Sequence, residues 1–329
     1  MLSSRRLKST ICQLLGALLF GQTAAVSASE HDLIGPSNAL EDHFVVAEGV
    51  RLHYVTNGTG QPVVLLHGND GTVKDFTMSI FDKLTAKYQT IAFDRPGHGL
   101  SKILTSKEQT PEMQARTLHS ALQQLGIQRP LLVGHSWSGA LALSYALQFP
   151  DDLKGLVLLS GMAYKTKRQE PKAIYFGVRV PVVGTALAMA FKSSCKREIE
   201  RQLTEAFAPD QAPKSYVDSF LSSFLTLGEF KSAIHDEITI NPALKRMSPL
   251  YGKIQTPVVI VAGDCDQTVN PELHSFPLHK AIPQSHLIVV HNGGHELQFT
   301  HQSDVLRAID LSLTPAPVAT LMTPVAPRD

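Results

Sequence analysis

Six short apolar runs, Val63–His67, Thr90–Asp94, Leu131–Gly134, Gly155–Ser160, Val258–Ala262 and His286–Val290, are spaced along the chain with helical patterns between them. This alternation constrains the fold more than any other feature, because neighbouring parallel strands need a crossover long enough to hold a helix. The runs are rich in Val, Leu and Ile and do not alternate with polar residues, as expected of strands covered on both faces. Pro111–Leu125 and Ser136–Gln148 carry helical spacing between them. Ahead of the runs, His43–Ala47 and Arg51–Thr56 do alternate and flank Glu48-Gly49, which predicts a leading hairpin. No internal repeat of fixed period is present.

The rhythm breaks between Ser160 and Val258. A structureless loop of that length does not fit a compact domain, so residues 163–251 are expected to form a helical cap or lid inserted into a core made of 40–162 and 252–312. Ile199, Leu203 and Phe207 fall on one helical face, as do Val217, Phe220, Leu221 and Phe224. Ile174 to Phe191 is apolar apart from Arg179 and is interrupted by Gly177, Pro181 and Gly184. A charge and helix breakers inside the segment argue against a membrane span and for a lid lining an apolar pocket.

The two ends read differently from the core. Arg5, Arg6 and Lys8 precede the apolar stretch Ile11–Gly21, and Val26-Ser27-Ala28 suits a signal-peptidase site. Residues 1–28 are therefore expected to be a signal peptide, with export to the periplasm or medium. An uncleaved membrane anchor is the alternative, since Ser9 to Ser29 carries no charge. Residues 313–329, with four prolines and no periodicity, are expected to be a disordered tail. The full chain carries 30 basic and 29 acidic side chains, and removing 1–28 leaves 27 and 29, so a general nucleic-acid binder is not indicated. After cleavage Cys195 and Cys265 remain. They are read as two free thiols, with a bridge as the alternative, because a domain of this size needs no staple.

Three motifs carry chemistry. Gly134-His135-Ser136-Trp137-Ser138-Gly139 follows an apolar strand and opens a helical pattern, the setting of a nucleophile elbow. The plain alternative is a strand-to-helix turn with the serine as N-cap. Gly263-Asp264-Cys265-Asp266 follows the strand at Val258–Ala262, and Gly293-Gly294-His295 follows the strand ending at Val290. A serine hydroxyl is a weak nucleophile until a histidine takes its proton, and a carboxylate fixes that histidine's tautomer. Ends of parallel strands on one sheet edge bring such distant residues together.

In these motifs and their order the chain resembles the α/β-hydrolase family, over residues 44–165 and 252–312. Val64-Leu65-Leu66-His67-Gly68 resembles the stretch leading into the oxyanion hole, and Asp94-Arg95-Pro96-Gly97-His98-Gly99-Leu100-Ser101 resembles a turn of esterases, haloperoxidase-like enzymes and carbon–carbon bond hydrolases. One departure is Ser138, where the family pattern has glycine. The resemblance implies a mostly parallel, doubly wound α/β-hydrolase sheet with an inserted helical cap. It implies Ser136, Asp266 and His295 as catalytic triad and the backbone N–H groups of Asn69 and Trp137 as oxyanion hole. Asp264 is the alternative acid. His67 and His98 are expected to be hydrogen-bonding turn residues, and Asp70 a solvated loop residue.

Cofactor and metal motifs do not appear. His291 and His295 lie on a glycine-broken loop without the Glu of a zinc-protease helix, and His274 and His279 are expected on a surface helix. The expected activity is cleavage of a carboxylic ester, lactone or thioester of a lipophilic small molecule through an acyl-enzyme, with no cofactor and no metal. Perhydrolysis or carbon–carbon bond hydrolysis with the same triad is the neighbouring reading. A ligand sensor on a hydrolase scaffold is the reading from another class. Association with a membrane would run through the N-terminal segment or the apolar cap.

Overall fold

The structure, a computed structural model, describes residues 40–166, 199–224 and 226–313. The leader, residues 167–198 with the Ile174–Phe191 stretch and Cys195, and the tail from 314 lie outside the described residues.

The six apolar runs, the leading hairpin and one short strand form a nine-stranded sheet. The strands are β1 (His43–Ala47), β2 (Val50–Asn57), β3 (Pro62–Leu66), β4 (Gln89–Phe93), β5 (Lys102–Ile103), β6 (Leu131–His135), β7 (Gly155–Leu159), β8 (Val258–Gly263) and β9 (His286–Val290). Their order is β1-β2-β4-β3-β6-β7-β8-β9, with the short β5 beside β2. β1 and β2 pair antiparallel across Glu48 and Gly49, whose φ angles of 50° and 76° make the tight hairpin. From β4 to β9 the pairing is parallel.

The main helices are α1 (Pro111–Gln124), α2 (Ser138–Gln148), α3 (199–207), α4 (Lys214–Phe224), α5 (Leu227–Met247), α6 (Ser275–Ala281) and α7 (Gln302–Leu313). Thr110 caps α1 by accepting from the N–H of Met113 at 3.3 Å, and Pro111 opens the helix where no N–H is needed. Thr226 caps α5 in the same way through Glu229 N–H at 3.2 Å.

The unbroken apolar runs have a direct structural cause. Val64, Leu66, Leu132, Leu158 and Ile260 face α1, α2 and α5, while Val63, Leu65, Val133, Val157 and Val261 pack against Phe76, Phe81 and the Val305 face of α7. Successive side chains point to opposite faces, so every residue of a doubly covered strand must be apolar. β9 departs from that expectation. It is the last strand of the sheet, and four of its five residues are partly or fully exposed.

Helices α3 to α5 lie in the chain between the paired strands β7 and β8, as the break in rhythm predicts. Ile199, Leu203, Phe207 and Leu221 are buried in a separate small cluster with Tyr216 and Ala233. Val217 and Phe220 pack on it from partly buried positions, and the side chain of Phe224 is outside the described residues. Among the described residues no helix is long and apolar enough to cross a membrane.

Chain order fixes where a site can form. From β3 the chain runs outward to β4, then returns to β6 on the other side of β3 and proceeds to β9. The sheet therefore reverses direction between β3 and β6, and the loops leaving their carboxyl ends diverge and open a crevice. Asn69 leaves β3 and Ser136 leaves β6, so both lie at that switch point.

Candidate active site

Strand β6 delivers the chain to Ser136, which has φ 52°, an unusual conformation for a residue other than glycine. Such a conformation costs about 1–3 kcal/mol and persists only where its surroundings hold it. Three hydrogen bonds do so: Ser136 N–H donates to Leu159 O at 3.0 Å, and Ser136 O accepts from Gly139 and Met162 N–H at 2.9 and 2.8 Å. The turn also needs small neighbours. A Cβ on Gly134 would stand 2.5 Å from Ser138 O, and one on Gly139 would stand 2.7 Å from Gly161 Cα. Ser138 fits because it is small and its hydroxyl donates to His67 O at 2.5 Å, tying the elbow to the end of β3. The N-cap of α2 is Trp137, without a side-chain capping bond, so Ser136 is not a capping serine.

The loops after β8 and β9 are joined by their backbones. Asp264 N–H donates to Val290 O at 3.1 Å and Cys265 N–H to Gly293 O at 2.9 Å. A Cβ on Gly263 would lie 2.2 Å from Gly293 O, which explains the glycine at that position. Asp266 Oδ1 accepts from Thr268 and Val269 N–H at 2.9 and 2.8 Å, leaving Oδ2 to accept from His295 Nδ1 at 2.8 Å. Both side chains are buried. Since a carboxylate can only accept, the proton of this bond sits on Nδ1, and in the neutral ring Nε2 is then the atom with the lone pair. Of the two candidate acids, Asp264 instead meets the exposed His291 at 2.9 Å. His291 and the backbone around it hold the Asp264 carboxyl below its ordinary value despite partial burial.

His135 links the serine turn to the histidine loop. Its ring lies 4.8 Å from that of His295, and its Nε2 is 3.2 Å from His295 O. Burial, and then the nearness of His295, push its pKa well below the usual value, so it is a neutral spacer. His135, His295 and Glu296 bring potential ligand atoms within 4.8 Å of one another, a grouping the sequence did not suggest. Each is otherwise engaged: His295 with Asp266, His135 with a backbone carbonyl, and Glu296 with Gln298 Nε2 at 2.6 Å.

The two expected oxyanion donors flank the serine. A Cβ on Gly68 would touch Ser136 Cβ at 3.2 Å, so the loop carrying Asn69 runs directly over the serine turn. Among the described residues, neither Asn69 nor Trp137 spends its backbone N–H on a protein acceptor. Trp137 is wholly buried, with Nε1 donating to Asp236 O at 3.2 Å.

Around this centre lie groups that periodicity and motifs did not mark. Arg95, Asp236, His98 and Glu229 form a buried ionic cluster. Burial and Arg95 oppose a charge on His98, but Glu229 and Asp236 outweigh them and raise its pKa to about 9. Burial likewise opposes ionisation of Asp236, and Arg95 and His98 more than offset it. His67 is a hydrogen-bonding turn residue as expected: its Nδ1 donates to Gly68 O at 2.8 Å and its Nε2 accepts from Arg95 N–H at 2.9 Å.

Two expectations are corrected. His274 is not on the surface: it is buried at the start of α6, and its Nδ1 accepts from Ala163 and Tyr164 N–H at 3.1 and 3.2 Å. Asp70 is only partly solvated, at intermediate exposure, and burial followed by the nearby Glu237 raises its carboxyl to about 7.

A crevice at the switch point, a strained serine on the strand-to-helix turn and a buried histidine–carboxylate pair define an α/β hydrolase. The family model described as alpha/beta hydrolase fold matches residues 61–302, and the chain belongs to that family. It is 27% identical over 256 residues to Lipase 1 of Psychrobacter immobilis, covering 76% of each chain. It is 26% identical to the 2-hydroxy-6-oxo-6-phenylhexa-2,4-dienoate hydrolase of Comamonas testosteroni, over 79% of this chain and 90% of that one. Among solved structures, a thermophilic esterase from Thermogutta terrifontis superposes with a TM-score of 0.65 at 20% identity, over 83% of this chain and 98% of the esterase.

Proposed function

We propose that the chain is a serine hydrolase cleaving a carboxylic ester, or a lactone or thioester, of a lipophilic small molecule through an acyl-enzyme. The observation that carries this reading is the 2.8 Å bond from His295 Nδ1 to Asp266, beside a serine held at φ 52°. With Nδ1 engaged, Nε2 is the basic atom. It takes the Ser136 proton as Oγ attacks the carbonyl, then returns it to the leaving alcohol. Water repeats the sequence on the acyl-enzyme. The N–H groups of Asn69 and Trp137 stabilise the oxyanion, each contributing about 3–4 kcal/mol to the transition state. These steps use only groups of this chain, so no cofactor or metal is called for.

Carbon–carbon bond hydrolysis is the reading closest to this one, given the similarity to the dienoate hydrolase. The surroundings of Asn69 favour the ester. Its Nδ2 donates to Glu237 Oε1 at 3.4 Å, so an acidic side chain stands beside the proposed oxyanion loop and disfavours a carboxylate-bearing dienoate there. On this reading helices α3 to α5, which carry a small apolar cluster of their own, would cover a lipophilic acyl group. Export through residues 1–28 is part of the same proposal and places the substrate outside the cytoplasm, with an anchored form as the alternative.

Product identification tests the reading. Purified protein is offered acyl esters of graded length, a peracid assay with hydrogen peroxide, and a vinylogous diketone acid. Acid plus alcohol from the esters alone, lost in Ser136→Ala, is the expected result. Cleavage of the diketone alone would move the assignment to carbon–carbon hydrolysis, and ligand-induced stabilisation without any product would make the protein a sensor.

A further inference from the structure

Arg95 lies two residues beyond β4, and its side chain is almost wholly inaccessible, at 1% exposure. Its guanidinium donates to three consecutive carbonyls of the loop after β3: Nε to His67 O at 3.2 Å, and Nη2 to Gly68 O at 2.7 Å and Asn69 O at 3.1 Å. The Gly68 carbonyl and the Asn69 N–H belong to one planar peptide unit and point in opposite directions. Fixing that carbonyl therefore fixes the direction of that N–H. The same guanidinium stacks on the Trp137 ring at 4.2 Å, so it also touches the residue bearing the second N–H.

Arg95 is itself held from the insertion. Asp236, on α5, places Oδ2 2.7 Å from Nη1, and its backbone O accepts from Trp137 Nε1 at 3.2 Å. Gln114 of α1 completes the shell, with Oε1 3.2 Å from Nη1 and Nε2 3.3 Å from Asp236 Oδ1. A generic core ion pair has no reason to spend its donors on three successive carbonyls beside a nucleophile. A planar fork does this well and an ammonium does not. We propose that Arg95 and Asp236 are positioning residues: Asp236, on the inserted helix, holds the Arg95 fork so that Asn69 and Trp137 present their N–H groups to the oxyanion. The inference rests on the serine-hydrolase reading above. It adds that seating α5 and assembling the oxyanion hole are one event.

The test uses the full chain and an alkyl fluorophosphonate, whose attack by Ser136 needs the oxyanion hole but not the natural substrate. Wild type, Ser136→Ala, Asp236→Asn, Arg95→Lys and Arg246→Ala are compared. Arg246 pairs with Glu112 at 2.7 Å on the exposed side of α5, away from Arg95, and controls for general loosening of that helix. Asp236→Asn and Arg95→Lys should still label to one adduct per folded chain, but on the order of 100-fold more slowly. Turnover of p-nitrophenyl butyrate per labelled site should fall by a similar factor in kcat with little change in KM, whereas a merely structural defect lowers the number of labelled sites at normal kcat. Arg246→Ala should match wild type. Wild-type labelling rates in both Asp236→Asn and Arg95→Lys would overturn the proposal, as would equal slowing in Arg246→Ala. Should Asp236→Asn not fold, Arg95→Lys decides by the same rate, since it keeps a cation opposite Asp236 and loses the fork. Absence of wild-type labelling would instead remove the serine-hydrolase reading on which the proposal stands.

Discussion

Asp266→Asn should leave a folded but nearly inactive protein, for a reason that can be worked through atom by atom. In the wild type, Oδ1 accepts from Thr268 and Val269 N–H at 2.9 and 2.8 Å, and Oδ2 accepts from His295 Nδ1 at 2.8 Å. An asparagine is nearly isosteric, but only one of its two terminal atoms can accept. Two backbone donors on one side force the amide oxygen there, so the NH2 must face His295. Nδ1 then has to be an acceptor, the ring proton moves to Nε2, and the proposed general base can no longer take a proton. A wrong tautomer of this kind costs about 10,000-fold in kcat, or about 5.4 kcal/mol. Both backbone N–H groups stay satisfied, so the melting temperature should hold. Asp266→Ala, which orphans them at about 1–3 kcal/mol each, should lower it clearly. Steady-state hydrolysis of p-nitrophenyl butyrate beside thermal melts of both variants makes the comparison. A kcat for Asp266→Asn within tenfold of wild type would refute the tautomer argument, and a matching loss in Asp264→Asn would point to the other acid.

Three further outcomes follow from the geometry. Gly263→Ala puts a Cβ 2.2 Å from Gly293 O, in backbone with little room to move, and should cost about 1–3 kcal/mol or more in chemical denaturation. His98 has a folded-state pKa of about 9, above the ordinary histidine value, so its contribution to stability is complete below about pH 6.5 and is lost as pH rises through 9. Melts between pH 7 and 10 should show that loss in wild type and a smaller one in Glu229→Gln, where Asp236 still faces His98; identical profiles would contradict it. Asp75 is buried beside Glu296 and bonded to Tyr216 OH at 3.1 Å, and burial followed by repulsion from Glu296 raises its pKa. That proton-linked stability is present at low pH and is lost as pH rises above the ordinary carboxylate range, so Asp75→Asn should flatten the wild-type decline.

Much of the core was legible because its signals are local. A strand covered on both faces must be apolar at every position, and the Val63, Leu131, Gly155 and Val258 runs announce that without any tertiary information. The elbow was legible because the turn at Ser136 needs small residues at 134, 138 and 139, where the start of α2 meets its own strand and the segment after β7. What could not be read depends on contacts between distant segments. Nothing in the residues around Asp236 or Glu229 says that α5 will lie over Arg95 and His98, more than a hundred positions earlier. His274 sits in a polar stretch that reads as surface, and only the packing of α6 against 163–164 buries it. β9 has the composition of an interior strand, and its place at the sheet edge follows from topology alone.

Peptide mass spectrometry of the full chain after reaction with the fluorophosphonate tests most directly whether Ser136 is the nucleophile. A single adduct on the peptide containing Ser136, absent from Ser136→Ala and suppressed in Asp266→Asn, is the predicted result. No adduct on Ser136, or equal labelling in the Asp266→Asn variant, would contradict the account.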